Sequence, residues 1–186
     1  GDHDLNPFMQ DWVDPKERLK PAAVLVPLIE HNSGLTVLLT KRTDHLRGHA
    51  GQVSFPGGGA EPEDAGPVDT ALREAHEEVG LTHEHIDVIG LLDNYQTGTN
   101  YLVTPVVGIV RPGVELTIDT FEVADTFEVP LDFLFDPSNH AIESREWNDS
   151  RRYYYVFRYD GFFIWGATAG MLMNLYRRLH GLAEPD

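Results

Sequence analysis

The stretch from Pro67 to Gly80 constrains this chain more than any other. Pro67 suits the first turn of a helix, where its missing N–H has no intrahelical partner to lose. From there the apolar residues fall at Val68, Ala71, Leu72, Ala75 and Val79, the spacing of one helix face. Gly80 is the natural stop, because glycine takes the left-handed conformation that closes a helix. A helix with one apolar stripe must lie on something, and the flanking segments offer strands. Residues 22–29, Ala-Ala-Val-Leu-Val-Pro-Leu-Ile, read as a buried strand, with Pro27 pointing to an edge or a bulge. Asn32-Ser33-Gly34 is a turn signal and Leu35–Leu39 a second strand, so 22–41 is expected to be a hairpin. Val53–Phe55, 86–92, 101–110 and 152–159 are further strand candidates. A short helix is expected near 130–135, and Ile164 to Leu182 reads as a C-terminal helix. Strands, helix, strands, helix, with no internal repeat, predict an α/β (α+β) layered domain over 21–186, preceded by an arm over 1–20.

Composition narrows what such a domain does. The 186 residues include no cysteine, which excludes a disulfide-stapled scaffold, a thiolate metal site and a thiol nucleophile. Acidic residues outnumber basic ones 30 to 14, a formal charge of −16. Phosphate neutralisation dominates nucleic-acid affinity, so nucleic acid is not an expected partner. Anionic membrane surfaces repel such a chain, and no apolar run reaches the ~18 residues of a span. The first residues carry neither a basic region nor an apolar one, so a cytoplasmic protein is expected. The most basic stretch in this acidic chain is the loop 41–52, with Lys41, Arg42, Arg47, His45 and His49.

The helix carries its chemistry on the face opposite the apolar stripe. Glu74, Glu77 and Glu78 cluster there, at i, i+3 and i+4. Like charges at that spacing repel by roughly 0.2–0.5 kcal/mol per pair. In the last turn the helix dipole disfavours each anion by about 0.3–1 kcal/mol more. One reading is a solvated acidic face. The other is a cation site: hard oxygen ligands suit Mg²⁺ or Mn²⁺, which also hold phosphates and would relieve the repulsion. The preceding glycines, Gly57-Gly58-Gly59, allow close approach of backbone to a ligand, and Arg73 stands ready to brace a carboxylate.

Gly59 through Leu81 resembles the Nudix box, Gly-x5-Glu-x7-Arg-Glu-U-x-Glu-Glu-x-Gly-U with U aliphatic. Arg73-Glu74, Glu77-Glu78 and Gly80-Leu81 match in order and spacing. Ala65 stands where the pattern has its first Glu, with Glu63 and Asp64 adjacent as stand-ins. Upstream, Leu38–Thr43 and Leu46–Gly58, with Arg47-Gly48-His49-Ala50-Gly51-Gln52-Val53-Ser54-Phe55-Pro56-Gly57-Gly58, look like the stretch preceding the box in the coenzyme A pyrophosphatases.

The resemblance implies a Nudix-type α/β/α sandwich with a mixed sheet, and a Mg²⁺- or Mn²⁺-dependent hydrolase of a small-molecule substrate. For that subfamily the bond cut is the phosphoanhydride of coenzyme A or its derivatives. By position in the box, Glu74 and Glu78 are the implied metal ligands, Glu77 a third, and a backbone carbonyl at Gly58 or Gly59 completes the shell. Arg73 would orient Glu74 or Glu77. The catalytic base varies in the family: a box Glu such as Glu77, or a later-loop acid, for which Glu122 is the candidate, as base or extra metal ligand, against the reading of one more surface acid. Arg42, Arg47, His49 and Gln52 are candidates for the 3′-phosphate of coenzyme A, against the reading of a solvated loop. The aromatic run Tyr153–Phe157 reads as sheet core, with adenine stacking as the alternative. A pyrophosphatase for ADP-ribose or a dinucleotide, and a non-catalytic nucleotide-binding module, are the competing functions. Monomer and homodimer both fit.

Overall fold

The computed structural model describes residues 5–6, 18–45, 50–147 and 150–182. Its strands are β1 (Lys20–His31), β2 (Gly34–Arg42), β3 (Val53–Ser54), β4 (Gly57–Gly59), β5 (Ile86–Leu91), β6 (Tyr95–Gln96), β7 (Tyr101–Val110), β8 (Val123–Pro130), β9 (Ala141–Trp147), β10 (Ser150–Tyr159) and β11 (Phe162–Trp165). Its helices are α1 (Pro67–Val79), α2 (Leu131–Phe135) and α3 (Gly166–His180).

Strand β1 organises the main sheet, whose order is β3-β2-β1-β7-β5. It runs parallel to β7 along almost its whole length, from Lys20↔Tyr101 to Ile29↔Val110. On its other side it pairs antiparallel with β4 at Ala22–Val24 and then with β2 at Leu28–His31. Strand β8 extends the sheet beyond β2, and β9, β10 and β11 form a second, three-stranded sheet. Because β1 is covered on both faces, its sequence is a nearly continuous apolar run rather than an alternation. Ala23, Leu25 and Ile29 join Ala71, Ala75 and Val79 of α1 in one buried cluster. Ala22, Val26 and Leu28 join the opposite cluster, with Tyr155, Phe157, Ile164 and the Ala169, Leu172 and Leu175 side chains of α3. The expected layered sandwich with a mixed sheet is the architecture found. No helix among the described residues is long and apolar enough to cross a membrane.

Four local expectations change. Pro27 lies in an interior strand, not at an edge. The Leu25 N–H donates to the Pro56 carbonyl, so Pro27, two residues on, turns its donorless nitrogen to that same side. There β1 has passed β4 and has not yet met β2, so no ladder bond is lost. The glycines 57–59, for which no strand is expected, form β4, fitted against β1. Within 115–149, β8 and β9 flank the short helix expected near 130–135. In β8 only Val123 and Val129 are buried and Ala124 and Asp125 are exposed, so two buried residues six apart leave little pattern to mark the strand. Finally, the C-terminal helix begins at Gly166 rather than Ile164. Phe162–Trp165 pair with β10, and Gly166 at φ 60° turns the chain from strand into helix.

Helix α1 ends as its sequence implies. Gly80 sits at φ 73°, its N–H donating to His76 O and that of Leu81 to Ala75 O. The loop beyond adds a second set of caps: the Thr117 and Asp119 N–H groups donate to the carbonyls of Val79 and Glu78. This ties the helix end to the segment that leads to Glu122. A Cβ at position 80 would stand 2.9 Å from the Thr117 nitrogen. Gly80→Ala therefore combines the left-handed cost with a backbone clash, and is expected to lower unfolding stability by at least about 1–2 kcal/mol in urea titration.

Candidate active site

The carboxylates of α1 lie against the β4 backbone. Glu78 is 3% exposed and packs under Gly57, whose N–H donates to Oε2 at 3.2 Å. Its Oε1 is 3.5 Å from Nη1 of Arg42. Burial pushes the Glu78 carboxyl up to about 7, and the charges of Glu74 and Glu122 act in the same direction; the Gly57 N–H and Arg42 oppose them. Glu74 is also raised, first by burial and then by Glu77 and Glu122, with Arg73 pulling it back. Its carboxylate covers Gly58 so closely that a Cβ there would stand 2.5 Å from Oε1. Glu77 lies at the rim, its side chain 57% exposed.

The β1–β4 register decides which glycine faces the acids. Ala23↔Gly58 belongs to the same ladder as Leu25 N–H to Pro56 O and Ala60 N–H to Pro21 O. Alternation therefore turns the polar groups of Gly58 toward β1 and those of Gly57 and Gly59 toward α1. Gly57 N–H meets Glu78, and Gly59 O accepts from Nη2 of Arg73 at 3.0 Å. Of the carbonyls the motif implies, that of Gly58 therefore lies on the β1 side, and that of Gly59 accepts from Arg73.

Arg73 is the brace of the cluster. Its Nε and Nη2 hold the two carboxylate oxygens of Asp64, each at 3.1 Å, while Nη1 reaches Glu74 at 2.9 Å and Glu77 at 3.1 Å. Asp64 also accepts from the Glu61 N–H and the Thr70 hydroxyl. The Arg73 guanidinium holds the Asp64 carboxyl well below the usual carboxylate range, and Asp64 raises Arg73 in turn. Asp64, which the motif placed only as a stand-in, is the residue that holds Arg73. Its signal was its position, one residue from the Glu of the pattern, within reach of an arginine nine residues on.

Glu122 approaches from the loop before β8. Its Oε2 is 3.9 Å from Nη2 of Arg42, and its side chain is 44% exposed. Arg42 ends β2 beside it and stands among the acids. Gln52 adjoins, its carbonyl accepting the Arg42 N–H at 2.9 Å. The structure thus brings together Arg42, Gln52, Gly58, Arg73, Glu74, Glu77, Glu78 and Glu122; Arg47 and His49 lie outside the described residues. Tyr155 and Phe157 of the aromatic run are core, as read. Among the described residues, no three His, Asp or Glu side chains are gathered as a ready metal cage.

The raised Glu78 gives a pH test with a definite sign. A glutamate ordinarily titrates near 4.5, whereas Glu78 in the fold titrates at about 7. The folded state holds the extra proton between those values, so metal-free stability falls as pH rises through that window. In EDTA at about pH 8, Glu78→Gln is expected to be more stable than the wild type by on the order of 1–3 kcal/mol. At about pH 4 the difference should vanish, since both states are then protonated. Denaturant titration at the two pH values checks it.

Comparison with known proteins agrees with this geometry. The family profile described as NUDIX domain matches residues 19–157. The "Uncharacterized Nudix hydrolase NudL" of Photorhabdus laumondii subsp. laumondii is 42% identical over 181 residues, spanning 94% of this chain and 95% of its own. Among solved structures, a MutT/nudix family protein from Enterococcus faecalis superposes with TM-score 0.55 at 16% identity, over 97% of this chain and 70% of that one. The Nudix hydrolase RenU of M. Smegmatis gives TM-score 0.53 at 24% identity, over 64% and 76%. With the box residues assembled on α1 and a relative matched nearly end to end, this chain belongs to the Nudix hydrolase family.

Proposed function

We propose that this protein hydrolyses the phosphoanhydride bond of coenzyme A or its derivatives, with Mg²⁺ or Mn²⁺, to 3′,5′-ADP and 4′-phosphopantetheine or its acyl form. The observation that carries the hydrolytic part is Glu78: a buried carboxylate beside Glu74 and Glu122, in an arrangement that leaves negative charge undercompensated. The donor set suits a hard divalent cation, which usually takes one or two carboxylates and leaves its other positions to water and substrate phosphate. That the described residues gather no closed three-acid cage is therefore consistent with the fit. The substrate class rests on the likeness of residues 38–58 to the coenzyme A pyrophosphatases, since family membership alone leaves the nucleotide open.

In this reading Glu74 and Glu78 hold the cation, with the Gly57 carbonyl and Glu77, the latter through water. When bound, it neutralises the pyrophosphate and makes a coordinated water acidic. Arg73 fixes the Glu74 and Glu77 side chains and the Gly59 backbone, so the acids keep their spacing as substrate enters. Glu122, exposed at the mouth, accepts the proton of the attacking water. Arg42, Arg47, His49 and Gln52 supply positive and polar groups for the substrate's phosphates, which a chain at −16 must provide locally.

The test is product analysis after incubation with coenzyme A, ADP-ribose and NADH, each with Mg²⁺, Mn²⁺ or EDTA. Metal-dependent release of 3′,5′-ADP from coenzyme A, with the other two inert, is the expected result. Turnover of ADP-ribose or NADH instead overturns the substrate assignment and keeps the site. Glu74→Gln and Glu78→Gln should each cost more than the roughly 10–100-fold typical of groups that merely support a metal ligand, with the fold intact. Arg47→Ala should raise KM more for coenzyme A than for dephospho-coenzyme A. Equal effects would remove the 3′-phosphate role.

A further inference from the structure

Two guanidinium groups stand among the acids, and they are held in opposite ways. Arg73 is locked on every side, at 2.9–3.1 Å from Glu74, Glu77, Asp64 and the Gly59 carbonyl. Arg42 reaches Glu78 at 3.5 Å and Glu122 at 3.9 Å. Hydrogen bonding has largely faded at those distances, and what holds the Arg42 head there is charge. Its base, by contrast, is fixed. The Arg42 N–H donates to Gln52 O at 2.9 Å, the Thr43 N–H to Glu122 O at 3.0 Å, and the Thr43 hydroxyl to Phe121 O at 2.9 Å. The β2–β8 register also shifts between Lys41 and Arg42, an irregularity that re-aims the side chain at this point. A long side chain on a rigid anchor, with a loosely held head and 24% of its side chain exposed, is built to move.

We propose that Arg42 is the displaceable counter-ion of Glu78 and Glu122: its guanidinium balances both acids until a divalent cation takes Glu78, and is then released to meet the substrate's phosphates. This rests on the reading of Glu78 as a cation ligand. Arg42 is thus a positioning residue before it is a binding one. Its move couples the two events, because the cation's arrival frees the group the anion needs. By linkage, phosphate that captures Arg42 favours the cation equally. Arg73 cannot serve this purpose, since releasing it would free Asp64, Glu74 and Glu77 together.

The experiment is Mn²⁺ titration, followed by electron paramagnetic resonance of free Mn²⁺, on wild type, R42Q, R42K and E78Q, each checked for folding by circular dichroism. R42Q is expected to bind Mn²⁺ about tenfold or more tightly than wild type, because a competing positive charge is gone. R42K should return the affinity toward the wild-type value. Equal or weaker binding by R42Q overturns the proposal; weaker binding would mean that Arg42 holds the acids in ligating geometry. Binding that is the same in wild type and E78Q overturns the cation-ligand reading and the proposal with it. Loss of binding in E78Q with no effect in R42Q removes only the role of Arg42. A second measurement needs no variant: Mg²⁺ added to wild type should shift the Arg42 Nε–H resonance. An unmoved Arg42 resonance overturns the proposal.

Discussion

A Cβ on Gly57 would stand 2.5 Å from the Ala23 carbonyl, and one on Gly58 would stand 2.5 Å from the Glu74 carboxylate. That double proximity, backbone against β1 on one side and against the acids of α1 on the other, is what the site depends on. A side chain at position 57 would push β4 off β1, and one at 58 would displace the Glu74 carboxylate. Glu78 would then lose its bond from Gly57, and Glu74 its place against the β4 backbone. Glycine here serves close approach rather than an unusual turn, since β4 is a strand. The packing that covers one face of β1 and the burial that raises Glu78 are one geometric fact.

The helix bears this arrangement because its other face more than offsets it. Acids in the last turn each cost about 0.3–1 kcal/mol against the helix dipole, and the i, i+3 and i+4 repulsions add roughly 0.2–0.5 kcal/mol per pair. Against this, Val79 and the adjoining Leu81 are fully buried, each worth about 1.5–3 kcal/mol, before Ala71 and Ala75 are counted. The apolar stripe wins. The acids can therefore be tuned for chemistry without endangering the fold, and removing one relieves strain that packing already carries. Local conflict of this kind, tolerated where the surroundings outweigh it, is where function is expected to sit.

How legible all this was in the sequence depended on how each element is stabilised. Helix α1 was readable end to end because its apolar stripe, its Pro67 start and its Gly80 stop all act locally. The box acids were readable because a fixed helical period converts spacing into a shared face. Strand β4 was not, since three glycines carry no hydrophobic pattern and are made a strand only by pairing with Ala22–Val24. Strand β8 was hidden for a different reason: it sits outside β2 and buries only Val123 and Val129 fully. Arg42 was readable as a useful cation, but not as the neighbour of Glu78, which lies 36 residues on. That closeness comes from the end of β2 and the last turn of α1 meeting beside Gly57, which no local pattern encodes.

The same long-range logic explains why Glu122 stands where it does. Its loop has no helix of its own to direct it. Instead, Thr117 and Asp119 cap the last carbonyls of α1, Asp119 O accepts from the Glu122 and Val123 N–H groups, and Glu122 O accepts from Thr43. The loop is thus pinned at one end to the helix that carries Glu78 and at the other to the strand end that carries Arg42. The two acids and the arginine belong to three separate segments, yet their spacing is set by backbone hydrogen bonds rather than by contacts among the side chains themselves. This division leaves the charged groups free to exchange partners while their anchors stay in place. It is the property a site needs when cation and anionic substrate arrive in turn.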